Sequence, residues 1–116
     1  MSLIAAILLG CATNYIVTPG GKRLPSLTNV AAFAPENQKA LPVISEYLSG
    51  NGEQPDEFYV EVGYTLPKSG LVGYHLWHIS AFSKKYKNVM GNPGGKCRDV
   101  YLDPAQTKVV SISWWQ

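Results

Sequence analysis

Long apolar runs, cysteine, histidine and charge of either sign in excess are all scarce in this chain of 116 residues. A membrane-crossing helix needs about 20 consecutive apolar residues to span roughly 30 Å of hydrocarbon. The apolar start, Leu3 to Leu9, stops well short of that, and Asn14 and the turn Pro19-Gly20-Gly21-Lys22-Arg23 follow soon after. With 10 Lys and Arg against 8 Asp and Glu, the formal net charge is +2. The basic residues are not gathered into one run, so no nucleic-acid partner is expected. The densest group, Lys84-Lys85-Lys87, reads as a solvated loop.

A structural zinc site takes four ligands, and if Cys11 is otherwise occupied only Cys97, His75 and His78 remain. His75 and His78 would also face opposite sides of a strand, which rules out joint ligation without a bulge. Neither a metal nor a cofactor is expected. A phosphate-binding loop is missing too. Met90-Gly91-Asn92-Pro93-Gly94-Gly95-Lys96-Cys97 has Met where that pattern needs Gly and Cys where it needs Ser or Thr. The same Pro-Gly-Gly-Lys occurs at 19–22, which marks it as turn chemistry.

What is present begins with Leu8-Leu9-Gly10-Cys11, which closes the apolar start. The length of that start suits the hydrophobic region of an export signal, about 7–15 residues. The preceding Met1-Ser2 carries no Lys or Arg. The tetrapeptide resembles a bacterial lipobox, the recognition sequence of signal peptidase II. The resemblance implies a signal peptide over 1–10, a lipidated Cys11 and a membrane partner reached through acyl chains, which contribute about 0.8 kcal/mol per buried CH₂. Inner-membrane lipoproteins commonly carry Asp after the lipidated Cys. Ala12 stands there, so the resemblance points to a lipoprotein of the bacterial cell envelope, at the outer membrane and facing the periplasm. The competing reading makes residues 3–17 an integral strand of a soluble domain. Cys97 is then free to pair with Cys11, whereas lipidation leaves it as an unpartnered thiol buried as a small apolar residue.

Residues 11–34 are rich in Pro, Gly, Ser, Thr and Asn without sustained periodicity, and read as a lipidated N-terminus and tether. As a coil of about 24 residues, the tether would span roughly 25–30 Å. Residues 35–116 form the expected domain. Pro35 to Leu48 is its helix: Pro35 suits the first helical position, and Ala40, Leu41, Ile44, Tyr47 and Leu48 make a stripe at helical spacing. Pro42 implies that the helix begins nearer Leu41 or bends there. From Glu57 the period becomes two. Phe58, Val60, Val62, Tyr64 and Leu66 take one face, and Tyr59, Glu61, Gly63 and Thr65 the other. A turn at Pro67-Lys68-Ser69-Gly70 leads to a second strand over Leu71 to Phe82. Arg98 to Leu102 and Val109 to Trp115 make a second hairpin around Asp103-Pro104-Ala105-Gln106. The expected fold class is α+β: one main helix packed on a four-stranded antiparallel sheet of two hairpins.

Pairing Leu66 with Leu71 puts Val62 opposite His75 and Tyr59 opposite His78, with Glu61 diagonal to His78. A carboxylate beside an imidazole can act as a general base; ordinary cross-strand polar pairing is the plainer account. Trp114 and Trp115 must point to opposite faces, one into the core and the other beside Tyr59 or Tyr74. Tyr59, Glu61, Tyr74, His78 and Trp115 are therefore the candidate binding surface, open to a protein partner or covered by the N-terminal segment or a second copy. No catalytic residue is assigned.

A helix followed by two hairpins that end in Val100-Tyr101-Leu102-Asp103 and Lys108-Val109-Val110, after Gly94-Gly95, is similar to small bacterial cystatin/NTF2-like domains, in particular NTF2-fold immunity-type proteins and PepSY-type domains. Those usually carry Thr-Gly before the Lys, where Gln106-Thr107 stand here. The resemblance covers about half the chain. It implies protein binding or inhibition, as in an immunity protein, rather than catalysis. The alternatives are a small NTF2-like enzyme or small-molecule-binding domain that uses His75 or His78, and the soluble domain with residues 3–17 as a strand.

Overall fold

The computed structural model describes residues 14–82 and 92–116. The signal peptide, Cys11 and the Lys84-Lys85-Lys87 loop lie outside the described residues. The chain forms β1 (Tyr15–Val17), β2 (Arg23–Pro25), α1 (Pro35–Gln38), α2 (Ala40–Gly50), β3 (Phe58–Thr65), β4 (Val72–His78), β5 (Arg98–Leu102) and β6 (Val109–Trp114). Strands β3 to β6 make one antiparallel sheet in sequence order, and β1 and β2 make a separate two-stranded hairpin. The class is α+β, with α2 as the main helix.

The helical stretch is interrupted at Lys39, where α1 ends and α2 begins. Pro42 causes no break inside α2 because it is the third residue, where a backbone N–H has no intrahelical acceptor to lose. Ala40, Leu41, Ile44 and Leu48 are buried and meet Phe58, Val60, Tyr74, Leu76, Val100 and Leu102 from one face of the sheet, the inner face. At the far end of the core, the Tyr74 hydroxyl donates to Gln106 Oε1, and Gln106 Nε2 donates to the Glu36 carbonyl at 3.0 Å. The β5–β6 turn is thereby tied to α1. Burial pushes the Tyr74 phenol up to about 12, with the Glu36 charge adding to the effect.

The segment read as a tether is, from Tyr15 onward, part of the fold. Leu24, Leu27 and Phe33 are buried, and each such side chain contributes about 1.5–3 kcal/mol when removed from water. Ser26 bridges to Tyr59, and the Leu27 N–H donates to the Phe58 carbonyl at 2.9 Å. The folded unit therefore includes residues 15–34 as well as the described part of residues 35–116.

The first hairpin carries the main difference in register. Leu66 N–H does donate to the Leu71 carbonyl at 2.8 Å, as the turn requires. A bulge between Val62 and Thr65 then shifts every later pair by one: Val62 opposes Tyr74, Glu61 opposes His75, Tyr59 opposes Trp77 and Phe58 opposes His78. Gly63 sits in the bulge, where a Cβ would lie 2.7 Å from the Gly73 carbonyl oxygen. The second strand also stops earlier than its apolar pattern implies. After His78 the chain enters a 3₁₀ turn, Ile79–Phe82, with the Ser80 N–H donating to His78 Nδ1 at 3.1 Å.

Candidate binding face of the sheet

The face of the sheet turned away from α2, the outer face, carries a row of polar side chains straight across the strands. Glu61 of β3 opposes His75 of β4, His75 opposes Asp99 of β5, and Asp99 opposes Ser113 of β6. Period-two alternation places them together, and the bulge at Gly63 selects which residues of β4 join them. One step along, Tyr59 opposes Trp77, and Trp115 follows Ser113 on the same face.

Hydrogen bonds lock the two indoles onto the carboxylates. Asp99 Oδ1 lies 2.6 Å from His75 Nδ1 and accepts the Trp115 indole N–H at 2.7 Å. Glu61 Oε1 accepts the Trp77 indole N–H at 3.4 Å, and Glu61 Oε2 accepts from Lys22 Nζ at 2.7 Å. Trp77 and Trp115 meet edge to face, with ring centroids 4.7 Å apart, a favoured aromatic geometry. Phe82 packs on the other side of Trp77 at 5.5 Å. Asn92 holds Trp115 from behind: its amide donates to the Trp115 carbonyl at 3.2 Å and to the Cys97 carbonyl at 2.9 Å.

The cluster is partly open to solvent, with the His75 and Asp99 side chains 30% and 21% exposed. Burial alone would raise the Glu61 carboxyl, but hydrogen bonds from Lys22 and Trp77 outweigh it and hold the carboxyl below its ordinary range. Two oriented indoles, two carboxylates and an imidazole thus form a preorganised surface. His75 Nε2 turns toward Gly63 and lies 3.5 Å from that residue's ideal Cβ position.

Of the residues singled out by sequence, Tyr59, Glu61 and Trp115 share this face. Tyr59 is buried there beside β2, which presses its phenol upward through desolvation, with Asp56 adding to the effect. The N-terminal hairpin therefore does cover one end of the face. Tyr74 and His78 are not on this surface: they point inward and are buried. A register one residue away from the expected one exchanges them for His75 and Trp77. Sequence reasoning also missed Asp99 and Lys22, because their roles depend on pairing between strands far apart in the chain. Gly63 was the available signal, since an isolated Gly within a strand often marks a bulge.

His78 makes its own network at the inner face. Its Nε2 lies 2.9 Å from Glu57 Oε1 and its Nδ1 lies 2.8 Å from Ser80 Oγ, while Phe58 packs edge-on at 4.8 Å. The Ser80 N–H donates to that same Nδ1, which makes it an acceptor, so the set secures the end of β4. Arg98 is fully buried nearby. Its guanidinium reaches both Glu53 oxygens, the Tyr47 hydroxyl and the Lys96 carbonyl, and Trp114 covers it at 4.1 Å. Burial pushes the Cys97 thiol up, away from the reactive thiolate.

Among the described residues, no group of three or more His, Cys, Asp and Glu could hold a metal ion, and no helix is long and apolar enough to cross a membrane. An open apolar groove lined by Leu27, Val30, Leu41 and Pro42 lies beside the helices and holds neither histidine. Comparison with family models, with curated proteins and with solved structures gives no match.

Proposed function

We propose that this chain is a small envelope lipoprotein that acts by binding a protein partner through the outer face of its sheet, in the manner of an immunity or inhibitor protein. The observation that carries the binding reading is the Trp77–Trp115 pair held by Glu61 and Asp99. Tryptophans fixed in place lose little entropy on association, and aromatic anchors rimmed by polar groups account for much of the affinity at protein interfaces. The membrane anchor rests on the Leu8-Leu9-Gly10-Cys11 sequence, and the cystatin/NTF2-like class on the order of one helix followed by two hairpins.

Site-specific photocrosslinking in a bacterial envelope tests the binding face. A photoreactive residue at Tyr101, beside Asp99's row on the outer face, should give one discrete adduct with another protein. The same residue at Val30, in the apolar groove, should not. Adducts from Val30 alone, or from neither position, would contradict the proposal. Intact mass of the purified protein reports on the anchor: loss of residues 1–10 with added acyl mass supports it, and an unprocessed N-terminus removes it.

The His75–Asp99 pair favours a second reading, in which Asp99 orients the imidazole and His75 Nε2 serves as a base toward a small molecule. Under this reading, His75→Ala abolishes a turnover that Trp115→Ala leaves in place. Under the binding reading the two substitutions weaken one and the same association.

A further inference from the structure

The last turn of α2 closes over two exposed residues, Asn51 and Gly52. The Gly52 N–H donates to the Ser49 carbonyl at 3.0 Å, and the Glu53 N–H donates to the Leu48 carbonyl at 2.9 Å. Those bonds make a Schellman cap, with Gly52 in the left-handed region at φ 75°. A Cβ on Gly52 would point into open space. The next residue, Glu53, is the counter-charge of the fully buried Arg98: Arg98 Nη1 donates to Glu53 Oε1 at 2.7 Å, and Nη2 donates to Oε2. An exposed cap thereby sets the place of a carboxylate on which a buried cation depends.

An asparagine side-chain amide can be attacked by the backbone nitrogen of the following residue. Glycine hinders that attack least, because it has no side chain to crowd the ring and its backbone rotates most freely. Asn51 alone among the asparagines of the chain precedes a glycine. Asn14, Asn29, Asn37 and Asn88 precede larger residues, and Asn92 precedes Pro93, whose nitrogen carries no proton to lose. At ψ 10° the Gly52 nitrogen is turned away from the Asn51 side chain, so ring closure waits on opening of the cap. Helix ends open far more readily than whole domains unfold.

We propose that Asn51 is a deamidation site whose product uncouples Glu53 from Arg98. The Gly52 nitrogen bonds to Asn51 Cγ, the Cγ–Nδ2 bond breaks, and ammonia leaves with the proton from Gly52. Water then opens the resulting succinimide. Cleavage of the new N–Cγ bond gives aspartate, and cleavage at the main-chain carbonyl gives isoaspartate. Water is the only co-reactant, and nothing is oxidised or reduced. Both products put a negative charge at the carboxyl end of α2, where the helix dipole disfavours it. Isoaspartate also inserts a methylene into the backbone ahead of Gly52. Gly52 and Glu53 then move relative to Ser49 and Leu48, the cap bonds are lost, and the Glu53 carboxylate leaves its place against Arg98.

Incubating the full-length protein at mildly alkaline pH tests this. Peptide mapping should show conversion of amide to acid at Asn51 well ahead of every other asparagine, with isoaspartate detected by an isoaspartyl methyltransferase. The modified protein carries one more negative charge, so ion exchange separates it. Its isoaspartyl form should melt at least about 5 °C below the fresh protein, as loss of a buried ion pair in a small domain would produce. It should also lose the acid-side fall in melting temperature that the Glu53 carboxyl gives the fresh protein. Asn51→Asp, which adds the charge without the methylene, should melt close to the fresh protein, and Asn51→Ser should keep its melting temperature through the incubation. Amide loss that is absent at Asn51 or equally fast elsewhere would overturn the proposal. So would an isoaspartyl form that melts with the fresh protein or keeps its acid dependence, or Asn51→Asp melting as low as the isoaspartyl form.

Discussion

At the residue scale, Arg98 and Asp99 are neighbours with opposite duties. Arg98 points inward and is fully buried, so its charge is tolerated only because Glu53 meets it with both carboxylate oxygens and every remaining N–H finds an acceptor. The hydrogen bond from Arg98 holds the Glu53 carboxyl below its ordinary value of 4.5, against the opposing pull of burial. A depressed carboxyl contributes stability that is present above its unfolded pKa and lost as pH falls through the folded value. The melting temperature should therefore drop as pH falls below 4.5, and Glu53→Gln should flatten that drop. The same substitution should cost about 3 kcal/mol at neutral pH, because it leaves Arg98 buried without its counter-charge; urea unfolding of both proteins at two pH values checks this. Asp99, on the other side of the strand, orients His75 and Trp115 at a half-open surface, where its removal should affect binding more than folding.

At the element scale, the outcome turns on one bulge and one hairpin. Period-two alternation identified the residues of β3 that share a face from Phe58 to Val62, before the bulge puts Thr65 opposite Val72 on the inner side, and the β5 boundaries were legible in the residues themselves. What was not legible was the pairing across the first hairpin. Leu66 and Leu71 do meet at the turn, yet the bulge at Gly63 moves the rest by one residue, and a slip of one sends a strand's side chains to the other face. That is why His78 and Tyr74 stood in for His75 and Trp77. Gly63→Ala should cost about 1–3 kcal/mol, because the new methyl group meets the Gly73 backbone rather than a movable side chain. Denaturant unfolding measures it. The N-terminal hairpin was hidden for another reason. Its strands are only three residues each, and its polar, turn-rich composition conceals Leu24, Leu27 and Phe33. Leu24→Ala should destabilise the whole domain by about 2–5 kcal/mol. A free tether would show no change in the same unfolding experiment.

At the scale of the whole molecule, the parts form one arrangement. The helix α2 and the aliphatic side of the sheet make the core, which leaves the other side of the sheet for display. The N-terminal hairpin covers one end of that side around Tyr59, and the remainder presents the row from Glu61 to Ser113 with its two tryptophans. A sheet packed on one face only is stable when the opposite face is polar enough to stay wet, which Glu61, His75, Asp99 and Ser113 ensure. The helix and the four main strands could be read from periodicity alone. The display surface could not, because it exists only where β3, β4, β5 and the end of β6 come together. The claim that this face is the contact surface is tested most directly by titrating the cross-linked partner, once identified, against the full-length protein and its Trp115→Ala and Asp99→Ala variants. Each variant should keep its fold and bind at least about tenfold more weakly, equivalent to roughly 1.4 kcal/mol. Equal affinity for all three proteins would contradict it.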